Sequence, residues 1–254
     1  MSRRIAFINE KGGTGKTTLA VNVAAYLAER RKQRVLLVDL DTQGHAGKCL
    51  GVDVRTVSPN VFHFLTDRSV TLDEVLSPTS SANLFVLPSY KQMADFPLAV
   101  AQTPRREFLL RDRLAAVEGR FDVILFDSPP SLGLTTHNIL AAANEVVVPV
   151  ALSYLALDGC AEMVSTVERV ARELAHPQLH ISRVVPTMYR KTALADEILE
   201  KLKGYFPEKC SEPLPLNVKI DEAQSHAQTI WEYSPWSRGA ALLQKAAEEI
   251  FNVP

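Results

Sequence analysis

An α/β fold, a mostly parallel twisted sheet flanked by helices on both faces, is the class this sequence predicts, and three observations predict it. Short apolar runs alternate along the chain with longer stretches of helical spacing, the pattern left by strand–helix–strand crossovers. A glycine-rich segment, Glu10-Lys11-Gly12-Gly13-Thr14-Gly15-Lys16-Thr17-Thr18, stands between the first apolar run and the first helical one. Two apolar runs, Arg34-Val35-Leu36-Leu37-Val38-Asp39 and Phe121-Asp122-Val123-Ile124-Leu125-Phe126-Asp127, end in a carboxylate. Runs this apolar suit central parallel strands covered on both sides.

The elements follow in order. Ile5-Ala6-Phe7-Ile8 places the first strand at 4–9. After the glycine-rich turn, Leu19-Ala20-Val21-Asn22-Val23-Ala24-Ala25-Tyr26-Leu27 carries helical spacing and predicts a helix over 16–30. Strands are expected at 35–39, 84–87 and 122–127, then at 145–150 (Glu145-Val146-Val147-Val148-Pro149-Val150), and last at 181–186. Helices are expected over 106–118, 135–143, 159–175, 193–204 and 237–251. Proline and serine gather at 58–60, 77–81, 88–97 and 207–215, which read as loops. The chain shows neither an internal repeat nor a low-complexity tract, and its 254 residues, 46% of them hydrophobic, can bury one core without staples. Residues 1–254 therefore read as a single domain.

Strand, glycine-rich turn and helix in that order form a phosphate loop. Gly12, Gly13, Thr14 and Gly15 can crowd backbone N–H groups around phosphate oxygens, and the helix start adds its positive dipole end. Lys16 would reach the β- and γ-phosphates, the Thr17 hydroxyl would ligate Mg²⁺, and Thr18 closes the loop. A nucleoside triphosphate is the expected ligand. The usual loop has glycine five residues before Gly15, where this chain has Glu10 followed by Lys11. A compact loop does not turn both lysines onto one phosphate, so Lys11 has reach to spare, across an interface for instance.

These residues resemble the Lys-Gly-Gly-x-Gly-Lys-Thr-Thr signature of the ParA/MinD family of deviant Walker ATPases, P-loop NTPases that use ATP and Mg²⁺. The resemblance implies an ATP-sandwich homodimer in which Lys11 contacts the nucleotide of the other subunit. Leu40-Asp41-Thr42-Gln43-Gly44 is similar to the end of the family's Asp-x-Asp-Pro-Gln-Gly, with Thr42 in place of proline. Asp41 thereby takes the position that orients the attacking water near the metal. Asp127-Ser128-Pro129-Pro130 resembles Asp-Thr-Pro-Pro, which makes Asp127 the Walker B carboxylate that holds Mg²⁺. Ser131-Leu132-Gly133-Leu134-Thr135 resembles the second switch, and Tyr154-Leu155-Ala156-Leu157-Asp158-Gly159 resembles Tyr-x-Ala-Leu-Glu-Gly. The stretch from Pro213 to Ala223 is similar to Ile-Pro-Arg-Asn-Val-Arg-Leu-Ser-Glu-Ala. By that likeness Pro215 and Asn217 border the adenine, while Arg190, Lys191 and Lys219 are the contacts to nonspecific double-stranded DNA. Leu216 stands where the first arginine often is.

Composition narrows the function further. A net charge of −1 excludes a protein that is basic all over, so any DNA contact comes from a local patch. Cys49, Cys160 and Cys210 have no metal-ligand spacing and do not match the places an iron–sulfur reductase on this fold requires. A dethiobiotin-synthetase-like ligase would need a substrate pocket that no motif marks. No apolar stretch approaches a membrane span. The first apolar stretch is too short and too soon interrupted by Asn9-Glu10-Lys11 to be a signal peptide, and with the phosphate loop beginning ten residues in, no N-terminal DNA-binding extension is expected. The segment from Gly239 to Pro254 has helical spacing, but its end carries two glutamates and one lysine, an end that an anionic membrane repels. The expectation is a cytoplasmic, nucleoid-associated ParA-type ATPase that dimerises on ATP, binds DNA and positions chromosome, plasmid or protein cargo. A ParB-like protein would stimulate hydrolysis, and no membrane is involved. A MinD-type membrane-associated positioning ATPase is the alternative.

Overall fold

Each apolar run becomes a strand whose alternate side chains enter two separate cores, in a computed structural model that describes residues 2–153 and 156–252. The strands are β1 (Arg3–Phe7), β2 (Val35–Asp39), β3 (Ser77–Pro78), β4 (Leu84–Leu87), β5 (Val123–Asp127), β6 (Glu145–Ala151) and β7 (His180–Thr187). Among the described residues they form one sheet in the order β3-β4-β2-β5-β1-β6-β7. All pairings are parallel except that of β3 on β4. The predicted fold class is the observed one.

The helices are α1 (Lys16–Glu29), α2 (His45–Cys49), α3 (Val61–Thr66), α4 (Leu72–Val75), α5 (Phe96–Ala99), α6 (Leu109–Ala115), α7 (Leu134–Ala142), α8 (Ala156–Glu173), α9 (Ala193–Tyr205), α10 (Val218–Ser225), α11 (Ile230–Tyr233) and α12 (Arg238–Phe251). On one face of the sheet, Ile5, Phe7, Leu37 and Leu125 pack with α1, α10, α11 and α12. On the other, Ala6, Ile8, Leu36 and Phe126 pack with the helices from α3 to α9. The period of two along each strand sorts neighbours to opposite cores. The apolar stripe of α12 (Leu243, Ala247 and Ile250) is buried on the α1 side of the sheet, where burial contributes roughly 1.5–3 kcal/mol for each large aliphatic side chain.

Register places the site. Phe7 pairs with Asp127 across β1 and β5, and Asp39 pairs with Asp127 across β2 and β5. Three central strands therefore end level, and the loops after them converge at the carboxyl edge, where open α/β sheets bind ligands.

The structure departs from the sequence reading in short elements. Ser77–Pro78 is an edge strand rather than a loop, a position that tolerates proline because no outer neighbour needs its missing N–H. The stretch 88–97, also read as loop, holds a 3₁₀ turn, Lys91–Asp95, and the start of α5. The stretch 106–118 starts as a 3₁₀ turn, Arg106–Phe108, before α6. The four- to six-residue helices α3 and α11 are too short to carry a period. Reciprocal caps hold them instead: Asn60 with His63, and Thr229 with Glu232. The Tyr154-Leu155 part of the segment resembling Tyr-x-Ala-Leu-Glu-Gly lies outside the described residues.

Candidate functional site

The glycine-rich loop is pinned at its start by a buried asparagine. The Asn9 amide donates to Pro149 O at 2.7 Å, and its oxygen accepts Lys11 N–H at 2.9 Å. Gly13 and Gly15 have φ of 71° and 84°, the left-handed region that favours glycine. Gly15 caps α1 without a side-chain bond, which leaves the first-turn N–H groups aimed at the cleft. Thr187 Oγ1, at the end of β7, donates to Thr14 O at 2.8 Å and fixes the far side of the loop.

Lys16 is 7% exposed, and its Nζ donates to Lys11 O at 3.1 Å, spanning the concave side of the loop. Burial lowers its pKa, while the charges of Asp127 and Asp41 oppose that shift. Lys11 points the other way. Its Nζ donates to Ser153 Oγ at 3.0 Å, just past β6 and at the exposed surface. One loop thus carries two lysines with divergent directions.

Beneath the loop, Thr17 Oγ1 donates to Asp127 Oδ2 at 2.7 Å. Asp127 is fully buried, and among the described residues its Oδ1 has no hydrogen-bond partner. Burial, then the charge of Asp39, raise the Asp127 pKa well above the usual carboxylate range. An orphaned buried carboxylate oxygen is costly unless a cation or proton meets it. Asp39, also fully buried, accepts Asp41 N–H at 3.0 Å, Ala46 N–H at 3.1 Å and Gly47 N–H at 3.3 Å. Burial nevertheless pushes its pKa up to about 7. Asp41 stands on the cleft wall, where its Oδ1 accepts Gln43 N–H at 3.0 Å.

The Thr17 hydroxyl and the free Asp127 oxygen are hard donors that fit a Mg²⁺ ion. Among the described residues no three His, Cys, Asp or Glu side chains gather into a closed metal site.

The cleft measures about 670 Å³. It is lined by the loop from Gly12 to Thr18, by Asp41 and Gln43, and by Met188, Asp221 and Gln224. Gln224 Nε2 donates to Thr18 Oγ1 at 2.6 Å and ties α10 to the start of α1. Met188, Asp221 and Gln224 were not legible as site residues: Met188 and Gln224 carry no motif, and the likeness of the Pro213–Ala223 segment gave Asp221 no role; Met188 follows β7, and the other two reach the cleft through the packing of α10. Pro215 and Asn217 line a small adjoining recess beside Gly15 and Thr18. Asn217 caps α10 by accepting Lys219 N–H at 3.0 Å, and a Cβ on Gly239 would come within 2.8 Å of its oxygen.

Arg190 and Lys191 are exposed. A bridge between Tyr189 and Pro215 brings their segment beside the start of α10, which carries Lys219. The Lys219 Nζ lies 2.7 Å from Glu222 Oε2, however, so a carboxylate offsets that charge.

A family profile described as an AAA domain matches residues 2–181. The chain is 40% identical over 252 residues to the sporulation initiation inhibitor protein Soj of Bacillus subtilis, spanning 98% of each chain. It is 43% identical to the chromosome-partitioning ATPase Soj of Thermus thermophilus, spanning 98% of this chain and 95% of that one. Among solved structures it is similar to the cobyrinic acid a,c-diamide synthase of Mycobacterium smegmatis with a bound ATP analogue and magnesium. That likeness has a TM-score of 0.84 at 29% identity and spans 98% of this chain and 93% of that one.

Proposed function

The chain belongs to the Soj/ParA family of partitioning ATPases, and we propose that it works as an ATP-driven dimer that rides nonspecific DNA and positions chromosome, plasmid or protein cargo. The observation that carries this reading is the divergence of the two loop lysines: Lys16 turns into its own cleft and Lys11 turns out of it. In this reading residues 1–254 act as one domain. Gly12, Gly13, Thr14 and Gly15 hold the phosphates by backbone N–H groups, and Lys16 supplies the charge facing the β- and γ-phosphates. Thr17 and Asp127, with Asp41 nearby, would hold Mg²⁺, which would offset the negative charge of the phosphates. Asp41 aligns the attacking water, and Lys11 crosses to the nucleotide of the other chain. Pro215 and Asn217 border the base.

A ligand shared by two subunits stabilises the dimer by its differential affinity for that state. Pairing two weak patches, each of Arg190, Lys191 and Lys219, then raises apparent affinity for DNA through effective concentration. Hydrolysis, stimulated by a ParB-like protein on the cargo, dissolves the dimer and releases the DNA. Burial of the α12 apolar stripe weighs against the MinD-type membrane alternative, since that helix has little apolar surface left for a lipid interface.

Light scattering on the purified chain with Mg²⁺ and a slowly cleaved ATP analogue tests the reading. Wild type should run as a dimer with the analogue and as a monomer without nucleotide. Lys16→Ala should bind no nucleotide, and Lys11→Ala should bind it yet stay monomeric. Asp41→Ala should dimerise but turn over ATP at least about a hundredfold more slowly. A wild-type chain that stays monomeric when saturated would end the proposal.

A further inference from the structure

We propose that Asp221 is a specificity residue that reads a hydrogen-bond donor on the nucleoside part of the ligand, either a ribose hydroxyl or an exocyclic amine of the base. The inference rests on the nucleotide reading above and adds a residue shared by the main cleft and the recess that adjoins it. Asp221 lines both the main cleft and the small recess formed with Pro215 and Asn217. Its carboxylate is exposed, and among the described residues it accepts no side-chain hydrogen bond and joins no ion pair. The nearest lysine in sequence, Lys219, is engaged by Glu222 instead.

The position is held firmly. Asn217 caps the start of α10, and Gln224 Nε2 bonds Thr18 Oγ1 at 2.6 Å, so the helix face bearing Asp221 is fixed relative to the phosphate loop. A first-turn carboxylate also suits the helix dipole. That accounts for a negative charge near the N-terminus of α10, but not for its facing a nucleotide cleft. An ionised carboxylate only accepts, so a ligand group that bonds it is a donor. Phosphate offers none and repels it, which leaves the nucleoside. A site built to bond a donor rejects the analogue that lacks it, because its own polar group is then left unpaired.

Equilibrium calorimetry on the full chain with Mg²⁺ reads this directly, using ATP, 2′-deoxy-ATP, 3′-deoxy-ATP and purine riboside triphosphate. Wild type should bind ATP at least tenfold more tightly than one of the three analogues. Asp221→Ala should erase that tenfold difference by weakening ATP, and the isosteric Asp221→Asn should reduce it in the same direction. A lost preference over a deoxy analogue assigns the ribose, and one over the purine analogue assigns the base amine. Wild type binding all four nucleotides equally, or Asp221→Ala keeping the full discrimination, would overturn the role of Asp221 and leave the nucleotide reading intact. No binding of ATP by wild type would remove both.

Discussion

Asp39 is a buried carboxylate that touches no ligand position directly, yet it organises the residues that do. Its three backbone bonds hold the N–H of Asp41 and the start of α2, so the direction of Asp41 depends on a residue behind it. Burial overrides those three bonds and lifts its pKa from the ordinary 3.8 to about 7. Between those two values the folded protein retains a proton that the unfolded chain has released. Stability from this group is therefore greatest at low pH and is lost as pH rises through that window. Thermal unfolding of the nucleotide-free chain from pH 5 to pH 7.5 should show it: Tm of wild type should fall relative to Asp39→Asn across the range. A difference that stays constant would show that Asp39 does not titrate there.

Among the elements, α1 links the site to the rest of the molecule. Its start closes the phosphate loop, and nearly two turns later the buried Asn22 holds α11: its Oδ1 accepts Ile230 N–H at 2.9 Å, and its carbonyl accepts Trp231 Nε1 at 3.0 Å. Asn22→Ala would leave the buried Ile230 N–H without a partner, and denaturant unfolding should register a loss of about 1–3 kcal/mol. A change below about 0.5 kcal/mol would mean that water replaces the amide. The α1 helix itself was legible, because fourteen residues give apolar spacing room to repeat. The α10 helix was not, since its eight residues bury only Ile220 and Ala223, too few for a period to emerge.

For the whole molecule, the consequence of the proposed dimer is a DNA affinity that depends on nucleotide and on salt. If Arg190, Lys191 and Lys219 of both subunits each meet a phosphate, log affinity should fall with log salt at a slope of about −5. Gel shifts on an arbitrary duplex should show binding with the ATP analogue and little with ADP or without nucleotide. Arg190→Glu should weaken it uniformly across sequences, as expected of contacts that tether without reading bases. Lys219→Glu should cost less than Arg190→Glu, because Glu222 already offsets Lys219. A flat salt dependence, or equal binding with and without nucleotide, would place the DNA surface elsewhere or remove it.

The strand–loop–helix start, the strands ending in Asp39 and Asp127, and the phosphate-loop positions of Lys16 and Thr17 could all be read from residue order alone. Local spacing and residue chemistry carry that information, and it survives in an unfolded chain. The directions of Lys11 and Lys16, the fully buried environment that Asp39 and Asp127 share, and the arrival of Asp221 and Gln224 at the cleft came only with tertiary structure. The physical reason is that each depends on packing between elements far apart in sequence. The bond from Gln224 to Thr18 spans 206 residues, and no local pattern can encode a contact at that separation.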